Sequence, residues 1–336
     1  MITRRRFTQA VAASLAVPGV TTGVAAAEDS GNGTAQGGHN SLGPVRHVDA
    51  GDVRMAYVEY GPARGPVVLL LHGWPYDPCS YIDVGPLLAA RGYRVIVPYL
   101  RGFGPTVFRS ADTIRNAQQS AVALDVIALM DALRIDRAVI GGFDWGARTA
   151  DVIAALWPSR CAALVSVSGY LITNLAANRN PLTPAAEYGW WYQFYFATER
   201  GAAGYRDNTA EFNRLIWRIA SPTWDFDDAT YARTAASFAN PDHVAIVLHN
   251  YRWRLGLAPG EARFDEYEQL LAAAPKIAVP TITIGSDFDG PNIDGGSYRS
   301  MFTGRYEHRV FAGIGHNVPQ EAPRAFARAV VDASRF

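Results

Sequence analysis

The chain is poor in the residues that staple or metallate a small fold. Two cysteines, Cys79 and Cys161, stand far apart in 336 residues. That excludes a disulfide framework and leaves free, buried thiols as the expectation. The sequence has no cluster with metal-ligand spacing, no glycine-rich phosphate loop and no heptad run. Charge of one sign is also missing, since 31 Lys and Arg balance 31 Asp and Glu. Without a basic segment beyond the extreme N-terminus, nucleic acid is not an expected partner. The weakly apolar stretch from Ala10 to Val24, broken by Pro18 and Gly19, is too short and too rich in small residues for a membrane span.

What is present fits a globular enzyme, with 49% hydrophobic and 18% charged residues. Residues 1–27 read as a twin-arginine signal peptide. Arg4-Arg5-Arg6-Phe7 precedes the apolar stretch, and Ala25-Ala26-Ala27 offers a cleavage site before Glu28. Export to a periplasmic or extracellular location follows, with no membrane attachment of the mature form. Residues 28–43, rich in Gly, Ser, Asn and Thr, read as a disordered linker.

Strand and helix patterns then alternate. Val45 to Tyr60 reads as a hairpin turning at Ala50-Gly51-Asp52. Strands are expected at Val67 to Leu71, Arg94 to Pro98, Ala138 to Ile140 and Ala163 to Ser168. Helices are expected near Tyr81 to Ala90, over Thr113 to Leu133 and over Ala147 to Trp157. This rhythm predicts an α/β fold, a mostly parallel sheet flanked by helices. From Tyr170 to Leu257 the alternation lapses into helical, aromatic-rich sequence. The organisation is therefore a core of 44–169 and 258–336 with an inserted helical cap, 170–257, over the C-terminal edge of the sheet.

The most telling motif lacks a serine. Gly142-Phe143-Asp144-Trp145-Gly146 has the form of a nucleophile elbow between strand and helix, with aspartate in the middle. A carboxylate there can displace a leaving group from saturated carbon and form an alkyl ester. Its partners follow in order. His72-Gly73-Trp74-Pro75 comes after a buried strand, and the N–H groups of Trp74 and Trp145 would form an oxyanion hole. Asp287 or Asp289 lies in the loop after Thr281 to Ile284, and His316 in Gly313-Ile314-Gly315-His316-Asn317 is the candidate general base.

In these motifs, in Arg101-Gly102-Phe103-Gly104 and in Gln320-Glu321-Ala322-Pro323, the chain resembles the α/β-hydrolase-fold epoxide hydrolases. Haloalkane and haloacetate dehalogenases share several of them. The cap segments Tyr192-Gln193-Phe194-Tyr195-Phe196 and Asn250-Tyr251-Arg252 resemble the family's two cap-tyrosine motifs. The resemblance implies hydrolysis of an epoxide to a vicinal diol without a cofactor or metal. Asp144 would be the nucleophile, His316 the base, and Tyr192 and Tyr251 donors to the epoxide oxygen. Asp289 is preferred to Asp287 as the acid, because related hydrolases place it about nine residues after a proline such as Pro280. A cis Trp74-Pro75 bond is also implied. Trp74, Tyr76, Trp145, Trp190, Trp191 and Phe194 are the expected pocket walls, and so many aromatics suggest a small apolar substrate.

Departures occur at Pro98-Tyr99-Leu100, where an acidic residue is usual before the Arg-Gly motif, and at Pro105-Thr106, where Asp-Ser is common. Trp145 stands where haloacetate dehalogenases have an arginine, although Arg148 follows one helical turn later. A dehalogenase using the same aspartate is the alternative, and a non-catalytic binding protein on the same fold a more distant one. The sequence does not fix the oligomeric state.

Overall fold

A computed structural model describes residues 41–336. The predicted leader and most of the linker lie outside the described residues. The first strands are β1 (Arg46–Ala50) and β2 (Val53–Tyr60), joined as the predicted hairpin, with Gly51 at φ +56° in its turn. There follow β3 (Val67–Leu71), α1 (Val84–Ala89), β4 (Arg94–Pro98), the short β5 (Val107–Phe108) and α2 (Gln119–Ala132). Next come β6 (Ala138–Gly142), α3 (Trp145–Leu156) and β7 (Cys161–Val167).

The sheet order is β1-β2-β4-β3-β6-β7-β8-β9, where β8 is Thr281–Ser286 and β9 is Tyr306–Phe311. From β4 to β9 every pairing is parallel, and β2 runs antiparallel to β4. The central strands are buried almost throughout, which is why they read as continuous apolar runs rather than alternating ones. Parallel strands aim their C-terminal ends the same way. The loops after β3, β6, β8 and β9 therefore meet along one edge, and these carry Trp74, Asp144, the Asp287–Asp289 pair and His316.

Two helices start later than expected. The helix predicted near Tyr81 to Ala90 begins only at Val84, after a short 3-10 turn. The helix predicted from Thr113 starts at Gln119. Before it, backbone groups are claimed by tertiary partners and by a local side chain: Asn116 O accepts from Arg101, Ala117 N donates to His249, and Gln118 N donates to the Asn116 side chain. An α-helix would need those groups for its own ladder.

Between β7 and β8 the described chain holds no strand. It carries α4 (Pro184–Gly189), α5 (Trp191–Ala197), α6 (Glu199–Asp207), α7 (Thr209–Ala220), α8 (Asp228–Ala235) and α9 (His243–Arg254), which correspond to the expected cap. The helix α10 (Asp265–Ala272) then leads back to the sheet, and α11 (Val318–Glu321) and α12 (Pro323–Ala333) close the chain. Cap and core are tied at the loop after β3. The Trp217 indole donates to Pro75 O at 2.8 Å, and the Trp74 indole donates to the Tyr205 hydroxyl at 2.9 Å. Cys79 and Cys161 are free and buried, as expected.

Candidate active site

The elbow is built by close backbone approach. A Cβ on Gly146 would lie 1.9 Å from Leu71 O, and one on Gly142 would lie 2.4 Å from the Gly146 carbonyl carbon. Glycine alone lets α3 start against β3 and β6. The turn itself falls on Asp144, at φ 54° and ψ −126°. Such a backbone costs a non-glycine residue of order 1–3 kcal/mol, and it stands the carboxylate above the sheet.

Both oxygens of that carboxylate are engaged. Trp74 N donates to Oδ1 at 2.7 Å, and His316 Nε2 lies 3.2 Å from Oδ2. The Trp145 N–H also faces the carboxylate. Gly73 permits this approach, since a Cβ there would sit 2.2 Å from Asp144 Oδ1. Burial by itself would raise the Asp144 pKa. The hydrogen bond and charge of His316, the Arg148 charge and the Trp145 N–H outweigh it, so the group lies below its ordinary value and is ionised at neutral pH. The Trp74-Pro75 bond is cis, as expected.

The first histidine of the motif plays a different part. His72 Nε2 accepts from Leu100 N at 3.1 Å, so Nδ1 carries the proton and donates to Gly73 O at 3.0 Å. Burial lowers its pKa to about 4, which keeps it neutral as a brace under the oxyanion loop.

Tyr192 and Tyr251 come together over the same loop. Their rings are 5.3 Å apart, edge to face, and each lies 5.2 Å from the Trp74 ring. Burial is the main cause that raises both phenol pKa values, and the Asp144 charge adds to it, so both stay protonated donors. The Trp145 indole Nε1 lies beside the Tyr251 hydroxyl but out of hydrogen-bond geometry, and has no other partner among the described residues.

The acid is less finished. His316 Nδ1 has no hydrogen-bond partner among the described residues. Asp287 is exposed and accepts from Gly313 N at 3.0 Å. Asp289 is half-buried, accepts from Ser286 N at 2.8 Å and feels the His316 charge. Burial raises its pKa. Phe288, between them, packs on the imidazole with ring centroids 4.1 Å apart. Its position is the signal that sequence reading passed over: an aromatic between two candidate acids, facing His316.

The cavity at Asp144 is small, about 30 Å³, and is lined by Trp74, Trp191, Tyr192, Ile216, Phe288 and His316, among others. Ile219, half-exposed, marks where it meets solvent. Larger cavities of about 790 and 550 Å³ lie on the cap and do not touch Asp144. The expected walls divide accordingly. Trp74 and Trp191 line the Asp144 cavity, whereas Trp190 and Phe194 line the second cap cavity. Phe194 is two residues from Tyr192, so the helical turn of about 200° puts it on the opposite, exposed face. Tyr76 is fully buried beneath the site, stacked on Trp217 at 5.1 Å and 5.7 Å from His316, rather than forming a wall.

Arg148 is buried, with Nε donating to Leu171 O at 3.2 Å. Burial first, and then the neighbouring Arg254 charge, lowers its pKa to about 10, so it remains a cation beside Asp144.

An aspartate on a strand-to-helix elbow, a histidine against it, two N–H groups behind it and a helical cap above define a capped α/β-hydrolase. A model of the alpha/beta hydrolase fold matches residues 66–207. The chain is 34% identical over 151 residues to an epoxide hydrolase B of Mycobacterium tuberculosis, a match covering 41% of this chain and 42% of that protein's length. It is 35% identical over 246 residues to a haloalkane dehalogenase of Mycobacterium marinum, covering 69% of this chain and 78% of that one. A crystal structure of a candidate epoxide hydrolase from Klebsiella pneumoniae shares 58% identity at a TM-score of 0.85, covering 87% of this chain and 97% of that one. The chain belongs to the α/β-hydrolase-fold epoxide hydrolase family, whose near relatives include haloalkane dehalogenases.

Proposed function

We propose that the protein hydrolyses a small apolar epoxide to a vicinal diol through a covalent ester on Asp144. The observation that carries this reading is the arrangement around one carboxylate. Oδ1 sits against the Trp74 N–H, Oδ2 faces His316 Nε2, and the paired tyrosines lie above. Oδ1 is the natural carbonyl oxygen of the ester, because it already occupies the N–H pocket. Oδ2 is then the attacking atom. It bonds to an epoxide carbon, the carbon–oxygen bond breaks, and Tyr192 or Tyr251 gives a proton to the leaving oxygen.

In the second half-reaction His316 Nε2 takes a proton from water. The hydroxide adds to the ester carbonyl carbon while Trp74 and Trp145 N–H groups hold the negative oxygen. Collapse expels the diol oxygen, which takes the proton from His316; the proton left on the added hydroxyl passes to the tyrosinate, and this restores the phenol and a carboxylate that keeps one oxygen from water. Asp289, half-buried toward the histidine, is the acid that steadies the imidazolium. No step calls for a cofactor or metal.

The buried, unpartnered Trp145 indole favours halide displacement as a second reading, since a halide leaves without a proton and suits such a donor. Trp74 and Trp217 have committed their indoles to Tyr205 and Pro75, so neither joins it. Arg148 would suit a carboxylate-bearing substrate in that case.

The test is intact-mass and peptide mass spectrometry of His316→Ala after exposure to a panel of epoxides. The expected result is a stable adduct on Asp144 with the mass of the epoxide. An adduct elsewhere, or none with any epoxide while haloalkanes release halide, would replace this reading with the second.

A further inference from the structure

The loop that carries His316 is held by the cap. Three consecutive backbone N–H groups, those of Gly315, His316 and Asn317, turn to one side of the loop. Gly315 N donates to Glu321 Oε2 at 2.8 Å, and Asn317 N donates to Glu321 Oε1 at 3.0 Å. Between them, His316 N donates to Ser221 Oγ at 2.9 Å and to Ala220 O at 3.1 Å. The Ser221 hydroxyl gives its own proton to Glu321 Oε1 at 2.7 Å.

Ser221 is buried at the end of cap helix α7, directly after Ala220 and five residues beyond Ile216, both of which line the Asp144 cavity. Gly315 independently marks how tight this junction is. A Cβ there would meet Ser221 Oγ at 2.5 Å and Ser221 Cα at 2.6 Å. The same helix reaches the oxyanion loop through Trp217 and Pro75. Only the cap can supply the hydroxyl that completes the acceptor set for the histidine loop. A carboxylate accepting backbone N–H groups makes stronger, shorter bonds than a neutral acceptor, so the set is well suited to fix a loop.

We propose that Ser221 and Glu321 are positioning residues that make the base depend on the cap: His316 reaches its working place only when α7 is seated and the Ser221–Glu321 bond is made. The coupling acts on the water-splitting half-reaction, because alkylation by Asp144 needs the oxyanion loop and the tyrosines but no proton transfer to His316. Both half-reactions need the cap, since Tyr192 and Tyr251 stand on α5 and α9; what α7 adds for the second step alone is the placing of His316. The proposal rests on the two-step reading above.

Rapid-quench mass spectrometry with styrene oxide as the probe separates the two steps. The proteins are the parent, Ser221→Ala, Ser221→Thr and Glu321→Gln. For Ser221→Ala, ester formation should stay within about twofold of the parent while ester hydrolysis falls about tenfold or more, the scale expected for losing such a hydrogen bond. The ester then accumulates at steady state. Ser221→Thr keeps the hydroxyl and should restore the parent partition. Glu321→Gln turns an N–H against a donor amide, should show the same accumulation, and carries the test if Ser221→Ala fails to fold. Equal slowing of both steps, or lower thermal stability with the partition unchanged, would overturn the coupling and leave the two-step reading intact. Absence of any ester in His316→Ala with every epoxide tried would remove both.

Discussion

At the scale of single residues, the chemistry turns on which hydrogen bonds exist before substrate arrives. Asp144 is held by N–H groups and His316, so its position is set in advance. The phenols of Tyr192 and Tyr251 are pushed up in pKa by burial and by the Asp144 charge, so they keep their protons across the neutral range. Replacing either with Phe keeps the ring packing and removes one donor. The expected cost is about 2.7–4 kcal/mol of transition-state stabilisation, a hundred- to thousand-fold fall in ester formation from epoxides. Halide displacement by the same variants should change little. Single-turnover alkylation rates measured in a His316→Ala background check this, and a double Tyr→Phe variant that alkylates at the parent rate would remove the tyrosines from the mechanism.

At the scale of elements, a buried carboxylate clamps cap to core. Asp77, in the loop after β3, accepts from Cys79 N at 2.9 Å, Thr234 Oγ1 of α8 at 2.9 Å and Ser237 Oγ at 2.6 Å. Burial raises its pKa from 3.8 to about 6, and the three donors offset only part of that. Cys79 and Tyr99, which also feel its charge, are themselves pushed up by burial and do not titrate below neutrality. Arg233 is the cation on that side. The folded value lies above the unfolded one, so the native state binds the proton more tightly. The stabilisation from protonating Asp77 is complete below about pH 4 and is lost as pH rises through about 6. Asp77→Asn cannot titrate. Relative to the parent, the variant should gain up to ~3 kcal/mol between pH 4 and 7. Urea unfolding of both proteins across that range measures the difference, and a flat or falling difference would contradict the assignment.

At the scale of the whole molecule, the described residues form one compact unit, with the cap part of it rather than a separate body. The cavity of about 30 Å³ at Asp144 is far smaller than the two cap cavities, and Phe288, Trp191 and Ile219 are among the residues that line it. The N-terminal residues lie outside the described ones, and we propose that they direct twin-arginine export, on the strength of Arg4-Arg5-Arg6-Phe7 and the Ala25-Ala26-Ala27 site. The exported protein should begin at Glu28, as read by N-terminal sequencing. Lys-Lys in place of Arg4-Arg5 should leave the precursor in the cytoplasm, and export of that variant at the parent level would exclude the route.

The sequence by itself determined the sheet and the centre of the site. Buried parallel strands read as apolar runs, and the elbow, the His72-Gly73-Trp74-Pro75 turn and the His316 loop are local motifs whose glycines report close backbone approach. These features are set by residues near in sequence, so they are legible there. The tertiary structure decided what depends on residues far apart. Tyr192 and Tyr251 meet only because α5 and α9 cross over Trp74. Phe194 lost its expected place because α5 shows one face to the cavity, and composition does not say which. The helix predicted from Thr113 gave up its first turns to Arg101 and His249, which lie on other elements. Ser221, an ordinary serine at a helix end, becomes the support of His316, 95 positions later in the chain, only when folding brings α7 against the last loop of the sheet.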